Sequence, residues 1–429
     1  MDLEEKLSIL AAAAKYDASC ASSGSEGRSA SASKIPGASA AVGYRERAGV
    51  CHSWTGDGRC VSLLKVLYSN VCCFDCAYCV NRVSSDHPRS SFSAQELVDL
   101  TIQFYRRNYI EGLFLSSGIF ADPDIVMEKL IETARKLRTE AGFGGYIHLK
   151  IIPGAGAKAI REAGLWADRL SVNIELPTGQ SLQKLAPQKE GPLIFGAMGE
   201  VSETEREYQR DRKTMRSVPE FTPSGQSTQL IVGASPEDDR TIINLSGSLY
   251  RKFGLRRVYY SAFTPVGGKG PPDPRLPALA APPVKREHRL YQADWLLRFY
   301  HFSPAEILDG NTPFLDTLID PKAAWALRHL EFFPIEINRA SYEELLRVPG
   351  IGAVSARRIV ETRHTGGFGP SSSRALSFDK LRRLGVSLKR ARYFITIAGA
   401  FIDQTKDAAR LRNILAGLDG GLQLPLFDF

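Results

Sequence analysis

The sequence predicts an α/β fold, a partial (β/α)6 parallel barrel, followed by an all-α module. Three observations predict it. From about residue 50 to 265, short β-branched runs alternate with amphipathic stretches, which argues for a parallel sheet with outer helices. Six such runs are too few for an eight-fold barrel. From residue 336 to 400, helical spacing replaces the alternation. The chain has 429 residues, room for two or three domains. At 43% hydrophobic and 24% charged residues it is not collagenous or wholly disordered. No apolar run reaches the roughly 18 residues that span a membrane. The start, Met1-Asp-Leu-Glu-Glu-Lys, lacks the apolar core of a secretory signal. A cytoplasmic chain with reduced thiols and no membrane partner is expected.

The elements follow in order. Leu3, Leu7, Leu10 and Ala14 recur at helical spacing, so a short helix is expected at the start. A Ser, Ala and Gly-rich linker completes residues 1–48. The barrel is expected over residues 49–266. Its strand runs are 61–68, 112–115, 146–152, 169–174, 229–232 and 257–262, with helix-like stretches at 94–106, 125–140 and 157–162. Residues 190–223 fit neither period and read as helical excursions. The Pro and Gly-rich residues 267–283 open a connector that runs to residue 335. Within it, residues 286–308 look helical, with Leu290, Trp295, Leu296 and Phe299 on one apolar face. Residues 336–400 form the helical module, and residues 401–429 a tail.

Seven cysteines are present: Cys20, Cys51, Cys60, Cys72, Cys73, Cys76 and Cys79. An odd number, with four packed closely, is not a disulfide framework, and neighbours at this spacing cannot pair without strain. Such thiols hold metal or do chemistry. Cys72, Cys76 and Cys79 are spaced C-x3-C-x2-C directly after the first strong strand run. Three thiolates on one loop can hold three corners of an iron–sulfide cube. The fourth iron stays open to a small molecule, as catalytic zinc keeps an open position. Cys73 permits a second register, C-x2-C-x2-C. Zinc is the alternative metal, with Cys73, Cys51, Cys60 or His52 as fourth ligand, although structural zinc loops usually bring cysteines in two separated pairs. Cys51 and Cys60 read as buried structural thiols.

The Cys72-x3-Cys76-x2-Cys79 spacing, Tyr78 before the last cysteine, and the position after the first barrel strand resemble the radical S-adenosylmethionine (SAM) superfamily. The resemblance covers about residues 50–266. It implies a 4Fe-4S cluster on Cys72, Cys76 and Cys79, with SAM chelating the open iron. It also implies an electron donor such as flavodoxin or ferredoxin. Reductive cleavage of SAM then gives a 5′-deoxyadenosyl radical that takes hydrogen from an unreactive carbon. The cofactor carries this chemistry and the protein orients it. Cofactor contacts are implied for Tyr78, for Ser116, Ser117 and Gly118, and for Asn173 and Glu175. The segment Leu115-Ser116-Ser117-Gly118 stands where the superfamily often has a Gly-Gly-Glu-like segment, and it lacks the acid. Ser171, Asn173 and Glu175 share one strand face. Lys150 ends the preceding strand run.

The net charge is +8, and residues 336–400 hold nearly all of it, with twelve basic against five acidic side chains. Such a local excess suggests a polyanion partner. Pro349-Gly350-Ile351-Gly352 makes a turn between two helices whose apolar faces include Leu345, Leu346, Ala356 and Ile359. Gly350 and Gly352 let amide N–H groups meet a phosphate at a helix start, and Arg357 and Arg358 follow. This pattern resembles a helix-hairpin-helix motif, which grips the DNA backbone without reading sequence. A degenerate second copy is expected at residues 378–395, with Leu384-Gly-Val-Ser387 in the hairpin and Lys389, Arg390 and Arg392 after it. A hairpin used for protein contacts is the alternative.

The layout as a whole resembles DNA modification or repair proteins of the radical SAM superfamily. That implies a nucleoid-associated enzyme that repairs or modifies a nucleotide, drawn out of the stack to react. Two other readings stay open: a radical enzyme acting on RNA or protein, and a metal-stabilised DNA-binding adaptor without activity. The tail Gln423-Leu424-Pro425-Leu426-Phe427 resembles the peptide by which bacterial polymerases and repair proteins dock on the sliding clamp. Gln423 would bond at a pocket rim, with Leu426 and Phe427 as apolar anchors.

Overall fold

Alternation of side chains along the strand runs builds a sheet with two unlike faces. The computed structural model describes residues 1–14, 50–54, 60–265, 273–279, 281–366, 376–401, 403, 405 and 407–420. Packing divides the chain into two units, Met1–Glu237 with Ser248–Pro283, and Asp238–Gly247 with Val284–Phe429.

The first unit begins with α1 (Leu3–Ala14), β1 (Val50–Trp54), β2 (Cys60–Leu67), α2 (Ala94–Arg106), β3 (Gly112–Ser116), α3 (Pro123–Thr139) and β4 (Tyr146–Lys150). It continues with α4 (Ala157–Trp166), β5 (Arg169–Ser171), α5 (Gly179–Leu185), α6 (Gly191–Thr214) and β6 (Gln226–Val232). Helix α7 (Asp239–Phe253), shared with the second unit, leads to β7 (Arg257–Ala262). Strands β2 to β7 are parallel and lie in chain order, forming a six-stranded half-barrel. Every parallel step crosses over through helix, as such pairing requires. An antiparallel edge strand, β1, pairs with β2 and was not among the expected runs. Residues 190–223, expected as helical excursions, are mostly the 24-residue α6. Its buried Ile194, Ala197, Met198 and Val201 supply the apolar face.

Register places Leu64, Leu113 and Ile147 in one row, and Val66, Leu115 and Leu149 in the next. All six are fully buried. They share the face that meets the apolar stripes of the helices. The opposite face carries Lys65, Phe114, His148 and Arg169 in one row and Ser171, Ser227 and Arg257 in another. A parallel sheet buried on both faces is usually apolar on both. The polar rows set the concave face apart from an ordinary apolar core, although Val61, Leu63, Phe114 and Tyr146 still form a buried cluster there.

The second unit holds α8 (Val284–Phe299), α9 (Pro304–Ile307), α10 (Pro321–Arg328), β8 (Ile335–Glu336), α11 (Tyr342–Arg347) and α12 (Ala353–Gly366). Then come α13 (Phe378–Arg383), α14 (Leu388–Ala391), β9 (Ile395–Ile397), β10 (Ala400–Phe401) and α15 (Ala408–Gly420). The module is therefore not all-α, as the sequence reading had it. Ile395-Thr-Ile397 is β-branched throughout and pairs with β8 on one side and β10 on the other. A two-residue turn with positive φ at Ala398 and Gly399 joins β9 to β10. The Glu336 carboxylate accepts both turn amides, at 3.1 and 2.9 Å. Among the described residues no helix is long and apolar enough to cross a membrane.

Candidate functional site

The loop after β2 carries the cysteines, and two neighbouring loops hold it. Gly118 N–H donates to the Ser69 carbonyl at 2.7 Å, and Cys73 N–H to the Ile119 carbonyl at 2.8 Å. A Cβ on Gly118 would sit 2.4 Å from the Val71 carbonyl oxygen, so only glycine allows this approach. From the other side, Ala77 N–H donates to the Leu185 carbonyl at the end of α5, at 2.7 Å. Arg89 closes the loop. Its guanidinium donates to the carbonyls of Asn70, Asn81, Arg82 and Ser85, at 2.7, 2.9, 2.6 and 3.0 Å. Sequence reasoning missed Arg89, because nothing in a lone arginine shows that four carbonyls will converge on it.

Cys72, Cys76 and Cys79 line one cavity of about 110 Å³ at the carboxyl ends of the strands. Cys73 is exposed and does not line it, so the C-x3-C-x2-C register is the one that converges. Among the described residues, no three His, Cys, Asp or Glu side chains gather round the position of a single metal ion. A cube of iron and sulfide takes its thiolates at separate corners, and the cavity offers three thiols for that purpose. Burial raises the Cys76 thiol and pushes that of Cys79 up to about 12, with Cys76 adding to the Cys79 shift. A bound cation reverses that preference by stabilising thiolate. The side chains of Cys51, His52 and Cys60, the other zinc-ligand candidates, lie outside the described residues, as does Cys20.

The remaining walls come from other strands. Tyr78, Ser116, Ser117, Gly118, Lys150, Glu175 and Gln229 all line the cavity. Asn173 does not; β5 ends at Ser171, so Asn173 and Glu175 lie beyond the strand expected to carry them, and the Asn173 amide donates to the Gln229 side-chain oxygen at 3.4 Å. Glu175 adopts φ +64, a conformation that costs a non-glycine residue on the order of 1–3 kcal/mol. It carries its carboxylate to Lys189 Nζ at 2.7 Å and Lys150 Nζ at 3.8 Å. Lys189, between α5 and α6, also stands 5.9 Å from the Tyr78 ring centroid. Burial alone would lower Lys189, but Glu175, Tyr78 and Cys76 outweigh it and hold the ammonium well above its usual value. Burial, with Glu175, raises the Tyr78 phenol likewise. Lys189 was the second residue missed, since the long polar segment around it carried no period.

In the second unit the Pro349–Gly352 turn joins α11 to α12. Pro349 and Ile351 are buried, while Gly350 and Gly352 are half-buried. The expected second hairpin lies between α13 and α14. Gly350 and Gly385 occupy equivalent places, with φ +87 and +90. A Cβ on Gly350 would meet the Ser387 carbonyl oxygen at 2.6 Å, and one on Gly385 would meet Ser355 Oγ at 3.0 Å. Each hairpin glycine thus packs on the helix start of the other hairpin.

Residues 332–374 match the helix-hairpin-helix motif family. Around this helix-hairpin-helix, Arg357, Arg358 and Lys389 are exposed. Arg390 is half-buried and pairs with Asp320 and Asp419. Residues Gln423, Leu424, Leu426 and Phe427 lie outside the described residues.

No curated protein matches the chain by sequence. Among the solved structures similar to it are two of HydG. One is HydG, a maturase of the FeFe-hydrogenase, at 13% identity and a TM-score of 0.39, covering 54% of this chain and 48% of that one. The other is the FeFe-hydrogenase maturase HydG from Carboxydothermus hydrogenoformans, at 16% identity and a TM-score of 0.39, covering 54% and 49%. The chain spans about half the length of the structures it matches.

Proposed function

We propose that this protein is a radical SAM enzyme acting on DNA. The observation that carries the first half is the convergence of Cys72, Cys76 and Cys79, without Cys73, on one cavity at the carboxyl ends of a parallel half-barrel. Ligand sites of α/β folds sit at that end of the strands. The three thiols would hold a 4Fe-4S cluster. When bound, cluster and SAM supply one-electron cleavage chemistry that activates an unreactive C–H bond, with the electron delivered by an external donor. Ser116, Ser117 and the backbone at Gly118 supply polar contacts for the amino-acid end of SAM, and Lys150 and Lys189 supply positive charge for its carboxylate. Half-buried Tyr78 and Ile231 line the cavity and would keep water from the reacting centre.

The DNA half rests on the helix-hairpin-helix match and on exposed Arg357, Arg358 and Lys389. Backbone gripping of this type is salt-dependent and indifferent to sequence. The tail at residues 423–427 completes the proposal as a clamp-binding peptide.

The test is anaerobic reconstitution with iron and sulfide, followed by assay of 5′-deoxyadenosine and mass spectrometry of duplex DNA incubated with SAM and a reductant. The reading expects iron and sulfide near four each per chain, SAM cleavage, and an altered nucleotide. Stoichiometric zinc in oxygen-free preparations that refuse iron would overturn the radical half. A modified RNA or peptide beside unchanged DNA would overturn the DNA half.

A further inference from the structure

Lys322, at the start of α10, is 7% exposed, and its Nζ donates to the Ile351 carbonyl at 2.6 Å. The ammonium stands 4.6 Å from the Tyr300 ring centroid, a cation–π distance. An amine buried beneath a hairpin that carries a nucleic-acid motif is an expensive feature for a merely structural role. The peptide bond shows what it does. In a trans peptide the C=O and the following N–H point in opposite directions. Holding the Ile351 carbonyl inward therefore turns the Gly352 N–H outward.

We propose that Lys322 is a positioning residue of the phosphate grip: its charged form holds the Ile351 carbonyl inward so that the Gly352 amide faces a nucleic-acid phosphate. Phosphate binding and protonation of Lys322 then favour one another. This rests on the nucleic-acid reading above and deepens it.

The charged and titratable groups around the amine come from several elements. Asp320 caps its own helix and pairs with Arg390 of α14, which also pairs with Asp419 of α15. Arg347 ends α11, Tyr300 follows α8, and Arg289 of α8 feels the Asp320 carboxylate. Burial lowers Lys322 to about 7, with Asp320 opposing and Arg347 adding to the fall. A phosphate at the hairpin adds negative charge and raises that value, so binding takes up a proton. Affinity is greatest at lower pH and falls as pH rises past the value of the free protein.

The experiment measures binding of a random-sequence duplex by the full chain at constant ionic strength, from about pH 6 to about pH 9, in the wild type and in Lys322→Met. The wild type is expected to lose up to about tenfold in affinity per pH unit above neutrality, the limit for one linked proton. Lys322→Met is expected to bind more weakly at low pH and to lose that part of the pH dependence. Should the variant misfold, proton uptake by the wild type, counted from binding heats in buffers of different ionisation enthalpy, still decides. Binding with no proton uptake near neutral pH overturns the proposal, as do identical pH profiles for the two proteins. No duplex binding by either protein at any pH overturns the nucleic-acid reading itself, and the proposal with it.

Discussion

Ser387 N–H donates to the Gly350 carbonyl at 2.8 Å, so the two hairpins of the second unit meet backbone to backbone. No side chain fits between them, because a Cβ on Gly350 would stand 2.6 Å from the Ser387 carbonyl oxygen.

Gly350→Ala is therefore expected to destabilise the second unit by about 1–3 kcal/mol, from positive φ and from the displaced hairpin. Gly352→Ala is the control. Its nearest obstacle is Tyr300 Oη at 3.4 Å, an ordinary contact, and its cost should stay under about 1 kcal/mol. Calorimetric melting of both variants checks the contrast, and equal shifts would refute it.

The cysteine register makes a second prediction. Cys73→Ser should keep its iron and sulfide after anaerobic reconstitution, because Cys73 is exposed and outside the cavity. Cys72→Ser, Cys76→Ser and Cys79→Ser should each lose most of both. Iron and sulfide analysis reads the outcome, and loss of iron in the Cys73 variant would point to the other register.

Arg89→Lys keeps the charge but cannot reach four carbonyls, since an ammonium lacks the planar fork of guanidinium. Each lost charged hydrogen bond is worth about 1.5–3 kcal/mol. The first unit should melt lower, and the loop should be cut faster by protease near residues 82–85. An unchanged proteolysis rate would mean that Arg89 does not pin the loop.

A pH dependence follows from Asp273. Arg275 beside it, with Arg82 of the cysteine loop, holds its carboxyl well below the usual carboxylate range. A depressed folded value contributes stability that is present above the unfolded value, near 3.9, and is lost as pH falls through the folded one. Asp273→Asn should thus lower the denaturation midpoint at neutral pH, with the gap to wild type closing below about pH 4. An equal gap at both ends of the range would exclude an ionic origin.

The sheet was legible because its cause is local. Short runs rich in β-branched and apolar residues place 61–68, 112–115 and 257–262 as strands, and β2, β3 and β7 agree closely with those runs. The cysteine spacing and the Pro349-Gly350-Ile351-Gly352 turn are local in the same sense, since each fits within a few residues of backbone. The short strands β8, β9 and β10 were hidden, because two or three residues carry no period.

By itself, then, the sequence determined the order of strands and helices, the three thiols on one loop, and a basic hairpin module. Tertiary structure decided which groups meet. Arg89 finds carbonyls on both sides of the cysteine loop, Lys189 finds Glu175 in the cavity, and Arg390 finds Asp320 and Asp419. It also decided that Cys73 stays outside the cavity and that Asn173 faces Gln229. The physical reason is range. Backbone preference and periodicity act over a turn or a strand, whereas ion pairs and buried hydrogen bonds join side chains far apart in the chain, and only the fold sets their distance.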